Sequence, residues 1–197
     1  MEHKVTDIRT MFATMTSEEI KAASRERELE EWRATNRFCG KCGAAMQPHA
    51  NPAERAFVCP TCGYVSYPKL SPAVIVLVMH EGQILLQRNT HYKCTNLTLV
   101  AGFVDAGESF EEAVRREVRE EASLEVKDIQ YFGSQTWPFP SNIMVAFTAR
   151  YAGGELKPDG EEVVESGWFD RAHLPAIPPK GSIARRMIDA WLAGEIT

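Results

Sequence analysis

Short runs of apolar residues, separated by turn-forming residues, fill much of the chain after its first third. The run Ala73–Met79 is continuous, and the turn pair Glu81-Gly82 separates it from a second run at 83–87. Two apolar runs joined by a tight turn predict a hairpin of buried strands. The same reasoning predicts further strands at 98–100, 126–134, 143–151 and 163–169.

Helical periodicity predicts three helices, at 16–36, 109–122 and 182–193. The strands and helices do not alternate as regular βαβ units, which would indicate an all-parallel sheet. The pattern therefore favours an α+β fold in which a mixed sheet packs against helices.

The overall composition is that of an ordinary globular protein, with 44% apolar and 25% charged residues. The formal net charge of −5 disfavours binding along the phosphates of a long nucleic acid. The longest apolar run is far shorter than the roughly 20 residues that cross a bilayer. The first residues contain no apolar signal-peptide core. We therefore expect a cytoplasmic protein without a membrane partner.

The five cysteines are unevenly placed, at Cys39, Cys42, Cys59, Cys62 and Cys94. The first four form two C-x-x-C pairs, a spacing that suits two tight turns around one metal ion better than a relaxed disulfide. Two disulfides in a secreted domain are the alternative, which the lack of a signal sequence disfavours. The pattern predicts a four-Cys Zn²⁺ ribbon at 37–67, with a closed and therefore structural metal site. Cys94 is expected to be an ordinary half-buried thiol.

The segment 102–124 contains a helix rich in both glutamate and arginine. Ser109 followed by Glu112 predicts a capping box where this helix begins. At 100° per residue, one side of the helix is apolar and carries Phe110, Val114 and Val118. We expect this side to pack on the sheet.

Three carboxylates lie on or beside that apolar side. Glu117 and Glu121 fall about 40° apart on it, and Glu120 lies on its flank. A buried carboxylate is costly unless it has a partner, and shared divalent cations are suitable partners. Oxygen ligands favour Mg²⁺ or Mn²⁺. The alternative is a solvated helix crossed by i,i+4 ion pairs, which composition alone favours.

The spacing of these residues resembles the Nudix box, G-x5-E-x7-R-E-U-x-E-E-x-G-U, in which U is aliphatic. The matching positions are Gly102, Glu108, Arg116, Glu117, Val118, Glu120, Glu121 and Leu124, and Ser123 replaces the second glycine. The resemblance implies hydrolysis of a nucleoside diphosphate linked to another group, on an α/β/α sandwich. It implies that Glu117, Glu120 and Glu121 bind Mg²⁺ or Mn²⁺ and that one box glutamate acts as base. It further implies that Arg116 pairs with Glu108 and orients the box.

A second motif points to one subfamily of this family. Residues 134–142, SQTWPFPSN, are similar to the SQPWPFPxS signature of NADH pyrophosphatases, with Thr136 replacing proline and Asn142 replacing serine. That subfamily carries a four-Cys ribbon and splits NAD(H) into AMP and nicotinamide mononucleotide. By its composition the segment is expected to be a stiff loop that presents apolar rings to the substrate. Gln135 and Asn142 could hydrogen-bond the substrate, and a purely structural turn is the alternative.

The resemblance also implies the remaining members of the site. The expected substrate contacts are Phe103, Gln135, Thr136, Trp137, Pro138, Phe139, Pro140, Ser141, Asn142, Met144, Tyr67 and Ala184, with Glu54 as a further match. The expected additions to the metal shell are Ala101, through its carbonyl, and Glu162. Among these, Phe103 is expected to stack on the ring of the substrate.

Three parts of the chain are expected, namely an N-terminal helical segment at 1–36, the zinc ribbon at 37–67 and the Nudix domain at 68–197. Only 38 residues precede Cys39, so the resemblance implies that most of the subfamily's usual N-terminal domain is missing. The subfamily is usually homodimeric. The helix at 16–36 is expected either to contribute to such an interface or to pack on its own ribbon.

The leading functional hypothesis is metal-dependent cleavage of NADH or NAD⁺, with removal of NAD caps from RNA 5′ ends as a further activity. A broader Nudix hydrolase acting on ADP-ribose or other ADP-linked compounds is the alternative, which the substitutions Ser123, Thr136 and Asn142 keep open. A non-enzymatic alternative is a binding module that senses a dinucleotide. The presence of all four box glutamates argues against that last class.

Overall fold

The structure is a computed structural model that describes residues 14–90 and 96–196. Its helices are α1 (Ser17–Thr35), α2 (Phe110–Ala122) and α3 (Ile183–Leu192). Its strands are β1 (Gln47–Pro48), β2 (Phe57–Val58), β3 (Val65–Ser66), β4 (Ser71–His80), β5 (Gln83–Asn89), β6 (Val100–Phe103), β7 (Leu124–Trp137), β8 (Asn142–Gly154) and β9 (Val163–Phe169). The expectation for Cys94 lies outside the described residues, as do the first residues of the predicted N-terminal segment.

The central sheet is mixed. Its strands follow the order β7-β8-β4-β5-β9, and β6 pairs with β4. Strands β4 and β8 run parallel, whereas the other pairs are antiparallel. The predicted mixed sheet is therefore confirmed.

Strand β4 is buried on both faces, which explains its continuous apolar sequence. Val74, Val76 and Val78 belong to the core cluster beneath α2. Ile75 and Leu77 belong to a second cluster, beneath α3. Because side chains alternate along a strand, one strand supplies both layers of core. The predicted α/β/α sandwich is confirmed.

Two predictions at the ends of elements differ from the structure. The strand expected at 98–100 lies at Val100–Phe103, because Ala101 and Gly102 pair with β4 instead of ending the strand. Phe110 was expected on the buried side of α2 but is 40% exposed. It is the first residue of the helix, and Ala113, Val114, Val118 and Ala122 fill the core below it.

The segment expected to be a loop at 134–142 is mostly strand. Strand β7 extends to Trp137, which pairs with Asn142 at the start of β8. Thr136 pairs with Ile143 in the same ladder. Only residues 138–141 connect the two strands, and the Phe139-Pro140 peptide bond among them is cis. The loop prediction was wrong in extent because both prolines fall within the four-residue connection.

Helix α1 packs on the ribbon, which is one of the two roles expected for it. Trp32 stacks on Phe57 of β2, with ring centroids 4.6 Å apart and planes 19° apart. The Ser66 hydroxyl donates to Asn36, the residue after the helix, at 3.2 Å. Within the described ranges, none of the helices has the length and apolar character of a membrane span.

Candidate functional site

Helix α2 begins with the predicted capping box. The Ser109 hydroxyl accepts from the Glu112 amide, and the Glu112 carboxylate accepts from the Ser109 amide at 2.8 Å. At the other end, Ser123 has φ 59°, in the left-handed region that the glycine of the box pattern suits. Its hydroxyl donates to the Lys157 carbonyl at 3.2 Å. The substitution at this position therefore leaves the helix end in its left-handed conformation.

Glu121 lies deepest of the box carboxylates and is only 3% exposed. Gln87 donates its side-chain amide to Glu121, and the backbone of Ala101 also hydrogen-bonds to it. Burial raises the pKa of Glu121 to about 7, and the charges of Glu117 and Glu162 add to the rise. This carboxyl group is therefore held where its ionised form is unfavourable without a further cation.

Glu117 is also buried, and burial raises its pKa despite its ion pair with Arg116. The charges of Glu120 and Glu162 raise it further. Glu120 itself is exposed and lies near the flank predicted for it. Glu162, far away in sequence on the segment before β9, is thus brought close enough to act on both buried carboxyls.

Arg116 forms hydrogen bonds with several residues of the box. It forms two hydrogen bonds with Glu108, each of 2.9 Å, as the resemblance implied. Another of its nitrogens contacts Glu117 at 2.8 Å and Glu120 at 3.0 Å. It also donates to the Phe103 carbonyl at 2.7 Å. A planar guanidinium can hold several acceptors at fixed angles, so Arg116 orients both the glutamates and the strand beside them.

The donor set fits Mg²⁺ or Mn²⁺. Two buried carboxyls have raised pKa values and repel each other, a combination that a bound divalent cation would relieve. Beside them, the Gln87 side-chain oxygen is buried and has no hydrogen-bond partner among the described residues. All of these ligand atoms are oxygens, the type that hard cations prefer.

The missing side chain of Gly102 leaves room for the Glu117 carboxylate. A Cβ atom built on Gly102 would lie 2.0 Å from the carboxylate carbon of Glu117. No other residue than glycine therefore fits opposite this carboxylate in its present position. The first glycine of the box is explained by this close approach of a backbone to a functional side chain.

We expect Gly102→Ala to fold but to lower turnover by at least about tenfold, because the new methyl group displaces the Glu117 carboxylate. The obstacle is the end of a flexible side chain, so the strand itself need not move. Gly153→Ala is the matched control, since no residue in the described part of the chain, other than its sequence neighbours, lies within 4 Å of the added Cβ there. Turnover and Mn²⁺ affinity of the two variants would be compared. Equal activities would contradict the role given to Gly102.

The raised pKa of Glu121 also predicts a pH-dependent stability. The pKa of Glu121 is 4.5 in the unfolded chain, and burial raises this pKa to about 7 in the folded, metal-free protein. Glu121 therefore favours folding below pH 4.5 and loses this advantage as the pH rises through 7, a difference on the order of 3 kcal/mol. Glu117 acts in the same direction. We expect metal-free Glu121→Gln to gain melting temperature relative to the wild type between about pH 5 and pH 8. A difference independent of pH would contradict this.

The expected substrate residues fall into two groups. Phe103, within the box, is 55% exposed, and Tyr67, the last residue of the ribbon, is also exposed, so both rings are accessible. Ala184, on α3 itself, instead belongs to the core cluster between α3 and the sheet, and Met144 packs against that cluster. Glu54 is exposed between β1 and β2, within the ribbon. The Phe103 carbonyl accepts from Arg116 of the box, and the substrate roles of all five residues stay predictions.

The residues of the 134–142 segment are engaged with the protein itself. The Gln135 amide donates to the Gly181 carbonyl and accepts from the Ile183 amide, each at 2.7 Å, at the start of α3. Asn142 donates to the Phe139 carbonyl at 3.1 Å. Trp137 and Phe139 pack edge to face at 5.0 Å. Pro138 is buried, Ser141 half-buried and Pro140 exposed. Hydrogen bonds from the two amides to substrate stay a prediction.

The four paired cysteines converge in the ribbon. Their sulfurs all lie within 4.8 Å of one another, with Cys39–Cys62 at 3.6 Å and Cys42–Cys59 at 3.5 Å. Tetrahedral Zn²⁺ with Zn–S bonds of about 2.3 Å requires sulfurs about 3.8 Å apart, whereas a disulfide requires about 2 Å. Backbone amides, Cys62 first, lower the pKa of the Cys59 thiol. The cluster fits structural zinc, and the disulfide alternative is wrong.

Residues that contact the predicted site but were missed by sequence reasoning include Gln87, Arg27 and Glu28. Gln87 is a buried amide in β5, and a polar residue ending an apolar strand run was the available signal. Arg27 and Glu28 reach the β7–β8 hairpin from α1. Nothing in the periodicity of α1 distinguished these two from its other charged residues.

Comparison with known proteins agrees with this geometry. The family model described as the NUDIX domain matches residues 69–191, and the one described as the NADH pyrophosphatase zinc ribbon domain matches 34–67. Two proteins named NAD-capped RNA hydrolase NudC are similar in sequence. The one from Stutzerimonas stutzeri is 45% identical over 166 residues, and the one from Pseudomonas aeruginosa is 47% identical over 162 residues.

These alignments include 84% and 82% of this chain but 59% and 58% of the relatives. The chain thus spans about three fifths of the length of the curated relatives it matches. A NUDIX hydrolase structure from Nitrosomonas europaea shares the fold, with a TM-score of 0.68 at 22% identity over 80% of this chain and 90% of that one. With its box helix, its buried carboxylates and its four-Cys ribbon, the chain belongs to the NUDIX family, among the members with an NADH pyrophosphatase zinc ribbon.

Proposed function

We propose that the protein hydrolyses the diphosphate of NADH or NAD⁺ to nicotinamide mononucleotide and AMP, and that NAD-capped RNA 5′ ends are further substrates. The observation that carries this proposal is the pair of buried, repelling carboxyls at Glu117 and Glu121, which lie against β6, the strand that ends at the exposed residue Phe103. The ribbon type and the names of the relatives support the choice of substrate.

The divalent ion, Mg²⁺ or Mn²⁺, would be held by Glu117, Glu120, Glu121, Glu162 and the Ala101 carbonyl. When bound, it neutralises diphosphate charge and assists deprotonation of water. The chain's own residues orient the site, since Arg116 fixes the box glutamates and Glu108 holds Arg116. One box glutamate accepts the proton of the attacking water. The water oxygen bonds to one phosphorus, the bridging P–O bond breaks, and each product keeps one phosphate.

We propose that aromatic side chains contact the substrate. Phe103 offers an exposed aromatic ring at the end of β6, and the hairpin connection 138–141 adds Phe139, which packs edge to face on Trp137. The net charge of −5 disfavours long contacts with RNA phosphates. A capped RNA would therefore be recognised through its terminal dinucleotide.

We also propose that the protein acts as a homodimer in the cytoplasm. Four exposed apolar side chains cluster in sequence around the ribbon, at Phe38, Tyr64, Tyr67 and Leu70. Exposed apolar groups of this kind support an interface between protein chains. Cysteines that converge on a metal site and do not form disulfides are consistent with a reducing compartment. Sedimentation at several concentrations would test the dimer.

Cleavage of ADP-ribose or another ADP-linked compound is the second candidate. The observation that favours it is Thr136, whose hydroxyl donates to Glu28 at 2.5 Å and ties the recognition hairpin to α1. A hairpin held in this way could present a differently shaped surface to the group beyond the diphosphate.

Product analysis separates these candidates. The protein with Mg²⁺ or Mn²⁺ would be given NADH, NAD⁺, ADP-ribose and NAD-capped RNA in separate reactions. AMP and nicotinamide mononucleotide released from NADH faster than any product from ADP-ribose would support the first proposal. Faster cleavage of ADP-ribose would replace it with the second. Binding without cleavage of any compound would indicate a sensing module.

A further inference from the structure

Helix α1 holds the tip of the β7–β8 hairpin by a charged side chain. The Arg27 Nε donates to the Pro138 carbonyl at 2.8 Å. The guanidinium carbon of Arg27 also lies 5.5 Å from the ring centroid of Phe139, within cation–π range. One arginine therefore contacts both the backbone and an aromatic ring of the four-residue connection.

The next residue of α1 adds a second link. The Thr136 hydroxyl donates to the Glu28 carboxylate at 2.5 Å, across 108 positions of sequence. Thr136 lies in the ladder one position before Trp137. Neighbouring residues of one helix thus hold the end of β7 and the connection that follows it.

Helix α1 can act as a fixed support because its far end is anchored in the ribbon. Trp32 is buried and stacks on Phe57. From Arg27 to Trp32 is about one and a half helical turns, a rigid distance in an α-helix. The hairpin tip is therefore positioned by an element that the zinc ribbon itself holds in place.

We propose that Arg27 and Glu28 are positioning residues that preorder the hairpin tip for binding the dinucleotide. This rests on the proposed function, in which the tip presents its rings to the substrate. A tip ordered before binding loses less conformational freedom when the substrate arrives. The two residues do not contact the box carboxylates, so they set substrate affinity and leave the chemical step unaffected.

Kinetics distinguish positioning from a general structural role. Arg27→Ala is expected to raise KM for NADH by about tenfold while kcat changes less than about twofold. Glu28→Ala is expected to act in the same direction. Glu28→Gln should restore the wild-type KM, because its amide oxygen still accepts from Thr136. Arg25→Ala and Glu30→Ala remove the same charges from exposed positions of α1 and should leave KM unchanged. A loss of kcat at constant KM would overturn the proposal.

Hydrogen exchange tests whether Arg27 and Glu28 order the hairpin tip, and it does so without a measurement of turnover. Amides of 134–142 should exchange at least about fivefold faster in Arg27→Ala than in the wild type or Arg25→Ala, while the amides of α2 stay unchanged. Unchanged exchange in the hairpin would overturn the proposal even if KM moved. If the wild type cleaves none of the dinucleotides, the proposed function fails, and this measurement still decides whether α1 orders the tip.

A double-mutant cycle tests the second link by itself. Glu28→Ala and Thr136→Val each remove one side of the same hydrogen bond. If the bond orders the tip, the double variant should raise KM no more than the stronger single variant. Multiplicative effects would show that the two residues act separately and would overturn this part of the proposal.

Discussion

Glu121→Gln is expected to lower turnover of NADH by at least about a hundredfold while the protein stays folded. The side chain is buried, accepts hydrogen bonds from Gln87 and Ala101, and repels Glu117 and Glu162. Glutamine keeps the shape but removes the charge that a divalent cation would neutralise. The same change therefore relieves repulsion in the metal-free fold and removes a reason for the ion to bind.

Two measurements check this result. Steady-state turnover with saturating Mn²⁺ gives the activity, and a Mn²⁺ titration gives the affinity of the site. Glu111→Gln is the matched control, because Glu111 is an exposed glutamate of the same helix. Full activity in Glu121→Gln would remove this residue from the metal shell and with it the present assignment of the box.

Removal of Zn²⁺ is expected to produce the largest loss of stability. Structural zinc contributes on the order of 10 kcal/mol to the folding of small domains. The ribbon strands β1, β2 and β3 each have two residues and form few ladder bonds, so the thiolate cluster carries most of their stability. Chelation should unfold residues 37–67 and release α1, which rests on Phe57.

Thermal unfolding and hydrogen exchange with and without chelator would follow this loss. Cys59→Ser should cause the same loss of stability in the presence of zinc. Lys41→Ala, which changes an exposed side chain between Cys39 and Cys42, should not. Added Zn²⁺ should restore the wild type but Mg²⁺ should not. The structural role of the ribbon would be disproved by an identical melting profile after complete loss of zinc.

The elements that the sequence predicted well are those whose causes are local. The capping box lies within four residues, from Ser109 to Glu112, and the 3.6-residue period lies within the thirteen residues of α2; both appear in the structure. The C-x-x-C pairs likewise turn within four residues, so their sulfurs were expected to converge. The placement of Glu117 and Glu121 on the buried side of α2 followed from helix geometry alone.

The ends of strands were less predictable because a neighbouring strand decides them. Gly102 weakens a strand by propensity, yet its pairing with Val74 keeps β6 in the sheet. Strand β7 extends to Trp137 and strand β8 begins at Asn142, because these two residues pair with each other. Intrinsic preference is weak compared with such pairing, so composition alone suggested a longer loop.

Spacing within short segments of the sequence was enough to predict the family, the four-cysteine cluster and the buried carboxylate side of one helix. Which distant groups meet these residues became clear only from the packing of the fold. Gln87 meets Glu121 across 34 positions, and Arg27 meets Pro138 across 111. Such contacts depend on how whole elements pack, and no periodicity along the chain records which two surfaces will face each other.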